Sequence, residues 1–143
     1  MALVTPQAFF VANNGKPLDF DHAYGTQCVD VLQYYNRDVI GDQFISGPTA
    51  LAIWEGPVPK GYTKVLNSTD PENKPKTGDV IFFNFNHVAI VVTADDFNIV
   101  SFDQNFPQQG HYDSQGNFIG TGVAHFQTHS DGSPVNVLGW WQV

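Results

Sequence analysis

Four segments in the second half of the chain, DVIFFNF (79–85), HVAIVVTA (87–94), FNIVSFD (97–103) and VLGWWQV (137–143), are dense in β-branched and aromatic residues and are separated by turn chemistry. Side chains of this kind fill a pleated, half-buried surface far better than a helix face, so the second half is expected to be mainly antiparallel sheet. TGVAHFQT (121–128) is a candidate for one more strand. Upstream the pattern is different. From Cys28 to Ile40 the apolar positions Cys28, Val31, Leu32, Tyr35 and Val39 recur at steps of three and four, which makes one face of an amphipathic helix with the cysteine in its first turn. GPTALAIWEG (47–56) predicts a shorter helix that begins near Pro48 or Thr49 and is stopped by Gly56-Pro57. NSTDPENKPKTG (67–78) is polar and proline-rich and is expected to be a surface loop. Helices first and a sheet afterwards define an α+β fold in two layers, here expected as one domain over residues 1–143.

Fourteen acidic against six basic residues give a formal charge of −8, which opposes broad electrostatic binding to nucleic acid or to an anionic membrane. Divalent cations are more natural guests. One cysteine excludes an intrachain disulfide, and no apolar run approaches the roughly 20 residues of a membrane-crossing helix. The N-terminal MALVTPQAFFVANNGKP lacks a basic region ahead of an apolar one, so it does not read as a secretion signal.

The one thiol lies in the most acidic stretch, LDFDHAYGTQCVDV (18–31). Negative neighbours should hold a thiol protonated and unreactive, so its setting needs an explanation. With Asp19 as position one, aspartates stand at positions one, three and twelve (Asp19, Asp21, Asp30), with Ala23 and Gly25 at five and seven. An EF-hand loop offers oxygens to calcium from these positions. The match is incomplete: alanine at five can give only its carbonyl, the glycine stands at seven rather than six, and aspartate at twelve has a short arm. The competing reading is a solvated acidic loop with Asp30 compensating the helix dipole. Oxygen ligands without clustered cysteine or histidine disfavour zinc.

A lone cysteine is more often an apolar core residue than a nucleophile. The helix N-terminus and the preceding glycine-containing loop raise Cys28 above that background, since the first favours the thiolate and the second leaves it accessible. A nucleophilic thiol needs a base, normally histidine, and a group that orients it. His22 lies in the acidic loop, His111 in a polar glycine-rich tip, and His125 and His129 flank a short strand as edge residues, so alanine at His111 or His129 should be nearly neutral. His87 opens an apolar strand whose return strand ends in FDQN. An odd connecting loop, Asp95-Asp96-Phe97 or Ala94-Asp95-Asp96, would set His87 opposite Asp103 or Asn105 with all three on one face, whereas an even loop would turn them away.

In this order the motifs resemble the CHAP family, the cysteine, histidine-dependent amidohydrolase/peptidase domains of papain-like fold found in phage endolysins and bacterial cell-wall hydrolases. DFDHAYGTQCVDV corresponds to the metal loop and nucleophile, PKTGDVIFF to the strand before the histidine, NHVAIVV to the histidine, FDQN to the remaining site residues and VLGWW to the closing strand. The resemblance implies N-terminal helices packed on a C-terminal antiparallel sheet. It implies Cys28 as nucleophile, His87 as general base, Asp103 as its orienting residue and Asn105 as a supporting polar group. It also implies calcium held by Asp19, Asp21, Ala23, Gly25 and Asp30, whose charge would answer the acidity around Cys28. Two departures stand out, because the family usually has glutamate at Asp103 and glycine at Asn86. With the first, the shorter carboxylate either draws the His87 strand closer or passes the orienting role to Asn105, and Asp103→Glu should be tolerated partly or fully.

The implied reaction is hydrolysis of an amide bond in bacterial peptidoglycan, either the N-acetylmuramoyl-L-alanine amide or a stem or cross-bridge peptide bond, with the Cys28 N–H and the Gln27 side chain as oxyanion donors. The expected place of action is the bacterial cell wall, reached through phage lysis machinery or as a virion component, by a monomer that is either a module of a longer lysin or a small lysin itself. Two other readings fit parts of the pattern: a transglutaminase-like acyl transferase, and a non-catalytic wall-binding or tail-structural module.

Overall fold

The computed structural model describes residues 3–23, 25–42, 45, 47, 49–68, 70, 72–95, 98–105, 109–129 and 136–143. Three helices come first. α1 (Pro6–Asn13) starts from Thr5, whose Oγ1 accepts the Ala8 N–H at 3.1 Å, with proline in the first turn where no amide is needed. Its anchors, Phe9 and Phe10, are adjacent and buried, so no helical periodicity announces it in the sequence. α2 (Cys28–Tyr35) carries the expected apolar face, but the helix predicted to run on to Ile40 widens into a π turn over Asn36–Ile40. Gly41 closes that turn in a left-handed conformation, with its N–H on the Asn36 carbonyl five residues back at 2.9 Å. α3 (Ala50–Glu55) is capped by Thr49 and ends at Gly56, as anticipated; the alternative start at Pro48 lies outside the described residues.

The four apolar runs form the centre of a six-stranded sheet in the order β2-β9-β3-β4-β5-β8, all neighbours antiparallel. Its strands are β2 (Thr63–Leu66), β3 (Val80–Phe83), β4 (His87–Ala94), β5 (Ile99–Asp103), β8 (His125–His129) and β9 (Val137–Gln142). Residues 67–78 contain no helix or strand among those described, as expected of a surface loop. β2, a short edge strand with half-exposed residues, carries too little pattern to be read in advance. Val80, Phe82, Val88, Ile90, Phe102 and Trp141 pack toward the helices, against Phe9, Phe10, Val31, Leu32 and Tyr35. Ile81, Phe83, Ala89, Val91, Ile99 and Trp140 make a second apolar cluster. Burial of alternate residues in two clusters explains why these strands read as continuous apolar runs. The observed fold is α+β, with helices on an antiparallel sheet. A smaller sheet, order β1-β7-β6, joins β1 (Gly25–Thr26) in parallel to β7 (Phe118–Thr121), which pairs antiparallel with β6 (Gly110–Tyr112).

The β4–β5 hairpin corrects the expected turn. Ala94 pairs with Ile99, so the connection is 95–98, an even loop of which Asp96 and Phe97 lie outside the described residues. An even loop alone would have put His87 and Asp103 on opposite faces. A register shift between Val91 and Thr93 leaves one extra residue on β4, and past it Val91 pairs with Ser101 and Ile90 with Phe102. The bulge restores the parity that the loop lacks. His87 and Asp103 therefore share a face.

Candidate active site

Cys28 is the first residue of α2, half-buried, with Gln27 in extended conformation as the cap. The segment leading to it is fastened from both ends. Lys16 pairs with Ala124 through its carbonyl at 2.8 Å, and Thr26 Oγ1 donates to the Gly122 carbonyl at 2.7 Å. Between them the fully buried side chain of Gln104 accepts the Leu18 N–H at 2.8 Å and donates to the carbonyls of Leu18 and Gln27 at 2.7 and 2.9 Å. β1 and β7 approach so closely that a Cβ at Gly120 would collide with the Thr26 carbonyl, and one at Gly25 with that of Gly120. Gly25 also holds a φ of 69°, which other residues adopt only under strain.

His87 opens β4 and is buried, its Nε2 3.0 Å from Asp103 Oδ2. The ring also hydrogen-bonds the Cys28 side chain, so the imidazole bridges thiol and carboxylate; with Nε2 on Asp103, Nδ1 is the nitrogen for the thiol. Burial by itself lowers the His87 pKa, but the hydrogen bonds to Asp103 and Cys28 and the negative charges of both outweigh it, and the net shift is upward. Burial likewise pushes the Asp103 carboxyl up, and the His129 and His87 hydrogen bonds, the His87 charge and the Ser101 hydroxyl overcome it, holding the group below the usual carboxylate range. Phe83 and Phe85 lie against the His87 ring at centroid distances of 5.8 and 5.9 Å, Phe85 stacked on it. Asn86, at the hairpin turn, has a φ of 61°, a conformation in which glycine is at ease and asparagine is tolerated. Its Oδ1 accepts the Leu51 N–H at 2.8 Å and ties the hairpin to α3.

Two site residues escaped the sequence. Ser101 Oγ donates to Asp103 Oδ2 at 2.9 Å, and His129 Nε2 lies 3.0 Å from Ser101 Oγ and 3.3 Å from Asp103 Oδ2. His129 stands on the edge strand β8, as expected, and its side chain is buried there. The edge placement holds for His125, which is partly exposed, and His111 is exposed on β6. Asn105 lies just beyond β5 with a φ of 63°, its Oδ1 on the Gln109 N–H at 2.8 Å and its Nδ2 3.4 Å from Gln27 Oε1. Asp103, not Asn105, makes the 3.0 Å contact with His87 Nε2, while Asn105 reaches the residue beside the nucleophile.

The acidic triplet also converges. One carboxylate oxygen each of Asp19, Asp21 and Asp30 falls within 4.8 Å of the other two. Asp30 caps α2, accepting the Gln27 N–H at 2.8 Å and the Phe20 N–H at 3.1 Å. Burial raises its pKa, against those two hydrogen bonds and with the charges of Asp21 and Asp19 adding to the rise. Asp21 Oδ1 accepts the Ala23 N–H at 3.0 Å. Asp19 Oδ1 is buried with no hydrogen-bond partner among the described residues. An orphaned carboxylate oxygen beside two further carboxylates suits a hard dication, so the residues present fit calcium.

Fold and site together define an α+β domain in which a cysteine at a helix start, a histidine at a strand start and a carboxylate on the next strand stand in line. A family model for the CHAP domain matches residues 17–105, and the chain belongs to that family. The matched segment includes Cys28, His87, Ser101, Asp103 and Asn105, and leaves out His129. Among solved structures, the crystal structure of the wild-type endolysin LysIME-EF1 is similar, with a TM-score of 0.70 and 22% sequence identity over 98% of this chain and 64% of that one. The chain thus spans less than two thirds of that endolysin's length. No curated protein matches the sequence.

Proposed function

We propose that this domain is a cysteine-dependent peptidoglycan hydrolase of the endolysin type, acting at the bacterial cell wall on an amide bond. One observation carries the reading: His87 bridges Cys28 and Asp103 from within a buried setting, the arrangement an activated thiol requires. Membership of the CHAP family and an endolysin of the same fold supply the substrate class.

The Cys28 thiolate attacks the amide carbonyl carbon; a C–S bond forms and the carbonyl π electrons move to oxygen. The Cys28 N–H at the start of α2 and the Gln27 amide, whose carbonyl end is held by Asn105, are the donors for that oxyanion. On collapse the C–N bond breaks and the His87 imidazolium delivers its proton to the leaving amine. Water then attacks the thioester while His87 takes its proton, and the carboxylate product leaves as the thiolate returns. Asp103 holds the ring orientation throughout. Asp19, Asp21 and Asp30, with the carbonyls of Ala23 and Gly25, would hold a calcium ion, which would offset the negative charge around this thiol and fix the loop.

Turbidity of Gram-positive cells, followed with wild-type protein, Cys28→Ser protein and protein treated with a thiol-alkylating reagent, tests the reading. Lysis by the wild type alone is expected, and mass spectrometry of the released termini identifies the bond. Equal lysis by a folded Cys28→Ser protein overturns it. Transfer of the acyl group to an added amine in preference to water would favour an acyl transferase.

A further inference from the structure

We infer that His129 and Ser101 are positioning residues for the reaction, fixing the Asp103 carboxylate so that it presents one lone pair to His87; this rests on the Cys28–His87 reading above. All three donors converge on one oxygen. His87 Nε2, Ser101 Oγ and His129 Nε2 lie 3.0, 2.9 and 3.3 Å from Asp103 Oδ2, whereas Oδ1 is buried without a hydrogen-bond partner among the described residues. A carboxylate held by His87 alone could rotate and offer either oxygen, and the ring would follow it. Ser101 and His129 remove that freedom.

The hydrogen-bond directions are determined by chemistry. A carboxylate well below the usual range is ionised and can only accept, so the Ser101 hydroxyl proton points to Asp103. Ser101 Oγ then has only lone pairs for His129, so His129 Nε2 carries a proton and donates, to Ser101 at 3.0 Å and in a longer branch to Asp103. Its ring is set by Phe83, 4.7 Å away between centroids. The short arm of Asp103 is therefore anchored by a residue of the edge strand, through the pairing of Ile99 with His129 and Asp103 with His125. Orientation held this way is worth having because small misplacement of a catalytic group is costly in rate.

The test compares His129→Phe, which keeps a ring beside Phe83 but cannot donate, with His129→Gln, whose amide nitrogen can reach the place of Nε2, and with Ser101→Ala. Soluble peptidoglycan fragments serve as substrate. His129→Phe and Ser101→Ala are expected to lose about 10- to 100-fold in kcat with KM nearly unchanged, and His129→Gln to recover most of the loss. The low-field proton resonance of the His87–Asp103 hydrogen bond should move or broaden in His129→Phe and return in His129→Gln. Wild-type kcat together with an unmoved resonance in both His129→Phe and Ser101→Ala overturns the inference, as does a His129→Gln protein no better than His129→Phe. The resonance is read without turnover, so an inactive wild type would sink the functional reading while the spectra still decide the role of His129.

Discussion

The side-chain amide of Gln104 closes on both backbone polar groups of Leu18, accepting from its N–H at 2.8 Å and donating to its carbonyl at 2.7 Å. Its third bond, to the Gln27 carbonyl, makes one buried side chain the tie between the start of the acidic loop, the residue before the nucleophile and the end of the strand that carries Asp103. Gln104→Leu preserves bulk but leaves those backbone groups without their partner. The expected loss is about 2–4 kcal/mol, since each buried group left unpaired costs about 1–3 kcal/mol and the loop can relax partly. Denaturant unfolding measures it. Because the loop carries Cys28, activity in the folded fraction should fall as well; unchanged activity and stability would mean that the loop is held elsewhere.

The His87–Asp103 pair sets a pH window. The folded pKa of His87 is raised from 6.5 to about 9, so its contribution to stability is complete below about 6.5 and is lost as pH rises through about 9. Asp103 is lowered from 3.8 to about 2, so its contribution is present above about 3.8 and is lost as pH falls through about 2. The alkaline limb of kcat/KM should therefore fall near the His87 value, and NMR titration of the imidazole should give a midpoint well above 6.5. Asp103→Asn removes the charge while keeping the shape; it should bring that midpoint down and cut turnover on the order of 10²- to 10⁴-fold. An unshifted midpoint would show that Asp103 does not govern the ring.

What could be read in advance was local. Cys28, His87 and Asp103 announce themselves through a helix start, a strand start and a strand end, and the acidic triplet through its spacing. The parity of the hairpin could not be counted from its loop, because the compensating bulge falls among Val91, Val92 and Thr93, β-branched residues that favour strand alike. His129 lies 26 residues beyond Asp103 and reaches it only through the β5–β8 pairing, so no spacing marks it. Gln104 follows the same rule: a polar residue at a strand end looks exposed until the loop from Leu18 is folded over it.

Asp103→Glu is a sharper test now than the resemblance alone made it. Asp103 is fully buried and its carboxylate oxygen is already within hydrogen-bond reach of three donors, so one more methylene must displace Ser101, His129 or the His87 ring. Overpacking of this kind costs about 1–3 kcal/mol. The single variant should fold with a lower Tm and reduced activity, and adding Ser101→Ala, which clears one hydroxyl, should give back part of the Tm. Losses that simply add would show that Asp103 and Ser101 do not share the space.

The acidic loop gives the last prediction. Asp19, Asp21 and Asp30 bring three carboxylates within 4.8 Å, and Asp19 Oδ1 has no hydrogen-bond partner among the described residues to offset its burial. Left alone, these charges repel one another beside the thiol and loosen the segment that presents it. A cation ligated there would relieve the repulsion and add its binding energy to folding. A chelator is therefore expected to lower both Tm and lytic activity, and calcium to restore them. Magnesium should do so poorly, since it demands a tighter octahedral shell and gives up water reluctantly. Asp19→Asn and Asp21→Asn should each weaken calcium binding and blunt the response to chelator, and Asp30→Asn should in addition weaken the cap that its carboxylate makes to Gln27 and Phe20. Isothermal titration of chelator-treated protein reads the binding directly. Full activity and an unchanged Tm in excess chelator, with no heat on adding calcium up to millimolar concentration, would return this stretch to a solvated acidic loop whose one structural duty is the Asp30 cap.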